Sequence, residues 1–91
     1  MICEWDPRKA EANFRKHGVR FAEAEPVFAD DDADTISDDE SDPDELRHVS
    51  IGAGVSGKVL VVVYCYRGSN IRIISARQAE AHERRQYEEG R

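Results

Sequence analysis

The sequence lacks most of the features that announce a function by themselves. It has two cysteines, Cys3 and Cys65, which make neither a disulfide framework nor a metal-ligand pattern. Both are expected to be small core residues. No apolar run exceeds "VLVVVYCY" (59–66), less than half of the ~20 residues needed to span a bilayer. No signal-peptide pattern is visible, so a cytoplasmic location with no membrane partner is the expectation. Three histidines, His17, His48 and His82, lie too scattered for a zinc-type site, and no metal is expected. Between Glu23 and Leu46 there is not one lysine or arginine.

That last absence gives the net charge of −6 its meaning. A uniformly acidic chain would repel nucleic acid, but here the charge is segregated. From Arg47 to Tyr87 seven bases (Arg47, Lys58, Arg67, Arg72, Arg77, Arg84, Arg85) stand against two acids, Glu80 and Glu83. An acidic middle is therefore joined to a basic C-terminal half. With 91 residues, the expectation is a single domain over residues 1–91 that buries roughly 60–65% of its unfolded surface.

Local signals give an order of elements. "ICEW" (2–5) reads as a short strand. In "DPRKAEANFRKHG" Asp6 can cap, Pro7 suits the first helical position, and Gly18 can end the helix in a left-handed conformation. Ala10, Phe14 and His17 share one face of that helix. "RFAEAEPVF" predicts a second helix facing inward with Phe21, Ala24 and either Val27 or Phe28, ending or bending near Glu25 because Pro26 cannot continue it. In the acidic segment 29–45, "DTISD" predicts a brief strand and "DDESDPD" a solvated, mobile loop. A calcium loop does not fit: counted from Asp30, the required glycine and glutamate positions hold Thr35 and Ser41.

"LRHVSIG", "KVLVVVYCY" and "IRIISA", separated by "GVSG" and "RGSN", predict an antiparallel meander whose nearly all-apolar middle strand is covered on both faces. In the tail, Ser75-x-x-Gln78 matches a capping box for a last helix with a thin inner stripe of Ala76, Ala79, Glu83 and Tyr87. The fold class is α+β: a short N-terminal strand, two helices, an antiparallel three- to four-stranded meander and a C-terminal helix. Helices are expected on one face of the sheet, with the other partly open.

Arginines threaded through the best β-sequence are the main functional signal, since a buried unpaired guanidinium is costly. On a regular strand Arg72, Ile74 and Ala76 share one face, and Ile71, Ile73 and Ser75 the other. Whether Tyr64 and Tyr66 join Arg72 depends on the hairpin register, which a one-residue slip reverses. Arg77 and Arg84 line up if Arg77 is already helical. With Arg72 and Arg67 they would form a phosphate grip; the plain alternative is pairing with Glu80, Glu83 and the acidic segment. His17 suits either proton transfer or simple placement at a helix C-terminus. Trp5 reads as an anchor in the core or at an edge.

The blocks "EWDPRKAEANFRKHGVRFAEA", "VFAD", "ELRHVSIG", "LVVVYCYRG" and "IRIISARQAEAHERRQYEE" together resemble the BrnT-type toxins, over Glu4 to Glu89. The resemblance implies a RelE-like fold and a metal-independent, cofactor-free endoribonuclease of a type II toxin–antitoxin module that arrests translation. It implies a cognate ribbon-helix-helix, BrnA-like antitoxin, RNA as substrate with or without a ribosome, and operator DNA reached only through the antitoxin. The family blocks fall on Lys16, His17 and Gly18, on Arg72 to Arg77, and on Glu83, Arg84 and Tyr87. Arg72, Arg77, Arg84 and His17 are then the catalytic candidates, and Arg67, Tyr64, Tyr87 and Lys16 the substrate-binding ones. A non-catalytic module that binds protein or RNA through its basic face is the competing expectation. The acidic segment, beyond what the pattern requires, is expected to restrain the basic face or to meet the antitoxin.

Overall fold

The computed structural model describes residues 2–38 and 46–90. Strand β1 (Cys3–Glu4) leads into helix α1 (Pro7–His17). The Asp6 side chain accepts from the Arg8 N–H at 2.8 Å, Pro7 opens the helix, and Gly18 closes it at φ 71°. A side chain there would pay the steric cost that glycine avoids. Helix α2 (Phe21–Ala24) gives way at Pro26 to a 3₁₀ turn, Glu25–Ala29, as the missing amide requires. Strands β2 (Asp34–Asp38), β3 (Arg47–Ala53), β4 (Val59–Arg67) and β5 (Asn70–Gln78) follow, then helix α3 (Ala81–Glu89). The loop expected at "DDESDPD" lies, beyond Asp38, outside the described residues.

The sheet order is β1-β5-β4-β3-β2. The expected meander is thus four antiparallel strands, with β1 added in parallel against β5 through Cys3↔Ile71 and Glu4↔Arg72. β4 is central, which explains its nearly unbroken apolar run: Val61 and Val62 point to opposite faces and both are buried. One face carries the main core, where Phe21, Ala24 and Val27 pack on Leu60, Val62, Ile71, Ile73 and Ala76. Burying a side chain such as Phe21 contributes about 1.5–3 kcal/mol. Trp5 flanks this core, edge-on to Phe21.

Two expectations about helices need correction. Phe14 is exposed, with the Arg20 guanidinium 4.4 Å over its ring; the buried position of α1 is Asn13. The Asn13 amide donates to the carbonyls of Val19 (2.9 Å) and Ala76 (2.8 Å), and its oxygen accepts from the Ala76 N–H. Because β1 covers β5 only at Ile71 and Arg72, this amide completes the outer edge of β5 farther along. The second correction concerns α3, which lies on the opposite face from α1 and α2. There Tyr87 packs with Ile51 and Val61.

Candidate functional site

A single extra residue in β5 sets which side chains meet. Val63 pairs with Ser75, but the next residue, Tyr64, pairs with Ile73, so Ile74 is bulged out of register. Regular alternation would send Arg72 and Arg77, five residues apart, to opposite faces. The bulge returns both to the face that carries α3. It also exchanges the expected places of Ser75 and Ala76, and Ala76 enters the main core. Arg72 lies opposite Cys65, while Tyr64 and Tyr66 lie opposite Ile73 and Ile71, on the helix-covered face. Of the two possible registers, the protein adopts the one that separates tyrosines from arginines. By the same alternation Arg47 and Arg67 project to the arginine side.

The two arginines differ in their surroundings. Arg72, partly exposed, stands 3.7 Å from the Glu4 carboxylate on the neighbouring strand. Arg77 is still in β5 and not in the last helix. The capping box of α3 is Glu80 with Glu83, not Ser75 with Gln78, so Arg77 and Arg84 do not share a helix. Glu83 grips Arg77 with both oxygens, at 2.7 and 2.9 Å. That grip, with a smaller part from the Glu80 N–H, outweighs burial and holds the Glu83 carboxyl down at about 2. Arg77 in turn is pushed up, chiefly by the same hydrogen bonds. Glu80, His82 and Glu83 are a trio of potential metal donors among the described residues, but the oxygens of Glu83 already serve Arg77.

The other candidates are dispersed. Arg84 is exposed on α3, and Arg67 is exposed where β4 enters the Gly68–Ser69 turn. Gly68, at φ 62°, supplies the positive φ that a two-residue hairpin turn needs. Tyr87 is buried and donates its hydroxyl to Asp30 Oδ2 at 2.6 Å. Tyr64 is buried as well, its hydroxyl 3.0 Å from Ser50 Oγ. Lys16 and the half-buried His17 end α1 on the helix side, away from the face of Arg72.

Sequence reasoning passed over a cluster around Tyr64. His48 pairs across the sheet with Tyr64, and their rings stack at 5.5 Å. Tyr66 stands edge-on to both, 5.2 Å from His48 and 5.9 Å from Tyr64. Phe28 closes the row, 4.8 Å from Tyr64. The sequence carried no usable signal for it: counting outward from "GVSG" sends His48 and Ser50 to the face opposite Tyr64 and Tyr66, and only the observed pairing of Ala53 with Val59 brings all four to one face.

Comparison with known proteins agrees with this architecture. A family model described as the ribonuclease toxin, BrnT, of type II toxin–antitoxin systems matches residues 5–83. Among solved structures, the crystal structure of the Brucella abortus ribonuclease toxin BrnT aligns with a TM-score of 0.70 and 26% identity, covering 88% of this chain and 99% of that one. No curated protein matches.

Proposed function

The chain belongs to the BrnT family of ribonuclease toxins of type II toxin–antitoxin systems, with an antitoxin as the partner that membership implies, and from that premise we propose a metal-independent endoribonuclease that arrests translation. Residues 1–91 act as one toxin domain in the cytoplasm. The partner is a ribbon-helix-helix, BrnA-like antitoxin through which operator DNA is reached. The substrate is RNA.

The chemistry needs little from the protein beyond charge. The RNA 2′-oxygen forms a bond to the neighbouring phosphorus as the bond from phosphorus to the 5′-oxygen breaks. The 2′-proton leaves to a base and the 5′-oxygen gains one, giving a 2′,3′-cyclic phosphate and a 5′-hydroxyl. Negative charge builds on the phosphoryl oxygens, and guanidinium groups stabilise it without titrating. The observation that carries the assignment is the bulge at Ile74, which turns Arg72 and Arg77 to one face. Arg72 is the principal stabiliser; Arg77, steered by Glu83, and Arg84 support it. Arg67 and Lys16 hold flanking phosphates, and His17 is kept as the proton-transfer candidate. Since His17 and Lys16 lie on the helix side, the RNA must cross the sheet edge to meet them and Arg72 together. Tyr64 and Tyr87, both buried, act as positioning residues.

The test is expression of Arg72→Ala, Arg77→Ala and Arg84→Ala without antitoxin, with mapping of RNA ends and cleavage assays in chelator. Loss of one stabilising donor is expected to cost roughly 10²–10³ in rate. If all three fold and still arrest growth like the parent, the assignment is wrong. The non-catalytic reading draws on one observation, the saturation of Arg77 by Glu83. It requires the purified protein to leave RNA intact with and without ribosomes.

A further inference from the structure

We infer that the cleft on the helix side, beside Tyr66 and His48, is a stacking site for one unpaired nucleobase of single-stranded RNA. The inference rests on the ribonuclease reading above, but it assigns a separate site on the opposite face of the sheet from Arg72.

The cleft has a volume of about 240 Å³ and is lined by Phe28, Asp30, Thr35, Ser50, Tyr64 and Tyr66, among others. That is small beside the ~300–1,000 Å³ of pockets that engulf drug-sized ligands, and it suits one planar ring. Its floor and wall are aromatic for a structural reason. Phe28 covers the buried Tyr64, and past that point, among the described residues, no helix lies over the exposed ring of Tyr66. Tyr66 is 53% exposed. An amphipathic ring left open in this way is a ready stacking surface, because every base has a π-face.

The site also offers polar groups to the edge of a base. Thr35 Oγ1 lies 2.9 Å from Ser50 Oγ, which lies 3.0 Å from the Tyr64 hydroxyl, so hydroxyls run across three strands into the cleft. Each can donate or accept as its neighbour requires. Tyr66 is joined to this line through Tyr64, and burial together with that contact pushes its phenol further from ionisation. Among the described residues that line it, the cleft presents neutral hydroxyls and no lysine or arginine.

Charge decides what part of an RNA would enter. Asp30 lines the cleft, and Asp31, Asp32 and Asp34 follow it in the chain. Carboxylates repel phosphate but leave a neutral base unaffected. Arg67, next to Tyr66 on the same strand, projects to the other side. A strand laid across the end of the β4–β5 hairpin can thus turn a base toward Tyr66 and its phosphates toward Arg67 and Arg72. A protein partner is the competing occupant; the hydroxyl line and the single-ring size favour the base.

The test uses the full chain and a short RNA, 2′-O-methylated so that it binds without being cut, with abasic residues placed one position at a time. Tyr66→Leu is expected to weaken binding about 5- to 150-fold, the range for losing one stacked base, and Tyr66→Phe by no more than about threefold. His48→Leu should weaken it and His48→Phe should restore it. At one abasic position the Tyr66→Leu loss should vanish, since base and ring are then the same interaction. Circular dichroism checks that each variant folds. Tyr66→Leu and His48→Leu binding like the parent while the parent still cleaves unmethylated RNA overturns the cleft and spares the ribonuclease. Failure of the parent to bind or cleave RNA overturns both. Loss of antitoxin affinity with RNA affinity intact assigns the cleft to a protein partner and also overturns the inference.

Discussion

The two faces of this sheet are built from the same strands and hold together in different ways. On the helix side, α1, α2 and the 3₁₀ turn bury a continuous core, with Phe21, Ile71, Ile73, Val27 and Val62 almost fully enclosed. On the arginine side, one short helix rests on Ile51 and Val61 through Tyr87, and the rest of that face carries Arg72 at partial exposure. A thick core makes the first face the structural one. The thin cover of the second leaves charge within reach of a ligand, as a phosphate-binding surface requires. A buried polar side chain helps to fasten each face: Asn13 on the helix side and Tyr87 on the other.

Removing those fasteners is the most direct way to break the contrast. Tyr87→Ala deletes the central side chain of the smaller cluster and is expected to cost about 3–4 kcal/mol, measured by urea denaturation. Tyr87→Phe keeps the ring and loses the bond to Asp30, and it should cost only about 1 kcal/mol. If the two variants are equal, α3 is held by the hydroxyl and not by packing. Asn13→Ala leaves the Ala76 N–H and two carbonyls without their partner, and about 2–3 kcal/mol should be lost. Amide exchange in β5 should then rise at Ala76 before it rises at Ile71, which β1 covers.

These fasteners also mark the boundary of what the sequence discloses. Asp6, Pro7, Gly18 and Pro26 act within a turn of themselves, so α1 and the break after α2 are legible from local chemistry. Asn13 is not, because the strand edge it completes is 63 residues away. The start of α3 is hidden for a similar reason, since Ser75-x-x-Gln78 spells a capping box whereas Glu80-x-x-Glu83, which forms the one observed, does not. Pairing decides between them: Leu60 to Val63 on the central strand need partners, and β5 extends to Gln78 to meet them. The bulge at Ile74 leaves no mark in "IRIISAR", which alternates acceptably in either register. It also decides where both arginines face, so the candidate site was legible as a set of residues and illegible as an arrangement.

A sharper probe of the arginine side is Glu83→Gln. Glutamine at this position can still accept from the Glu80 N–H, so the cap is kept while the ion pair is lost. Arg77 is about one-third exposed, and the stability cost should stay below about 1 kcal/mol after solvent screening. The pH dependence follows from a carboxyl whose folded value, about 2, lies below its ordinary 4.5. The pair stabilises fully above about pH 4.5 and is lost as pH falls toward 2. Parent and variant should therefore differ in urea midpoint at neutral pH and converge in acid. If Arg77 is a phosphate contact restrained by Glu83, the variant should also bind RNA more tightly at low salt.

The smallest effect concerns the acidic segment, and the structure narrows which of its residues can be changed. Asp30 accepts from the Ala53 N–H at 2.9 Å as well as from Tyr87, and Asp34 accepts from the Gln86 amide at 2.8 Å. Both tie the segment to its neighbours, and replacing them would confound charge with folding. Asp31 and Asp32 have exposed side chains, and Asp31→Asn with Asp32→Asn removes two negative charges while leaving Asp30 and Asp34 in place. Exposed charges act over a Debye length, ~10 Å at 0.1 M salt. Removing two of them, which line a cavity with Gln86 and Tyr87 of α3, should raise RNA affinity about two- to fivefold at low salt. The gain should disappear near 1 M salt, where the Debye length shrinks to ~3 Å. An unchanged affinity at low salt would mean that the segment does not restrain RNA on either face, leaving Asp30 and Asp34 as structural ties.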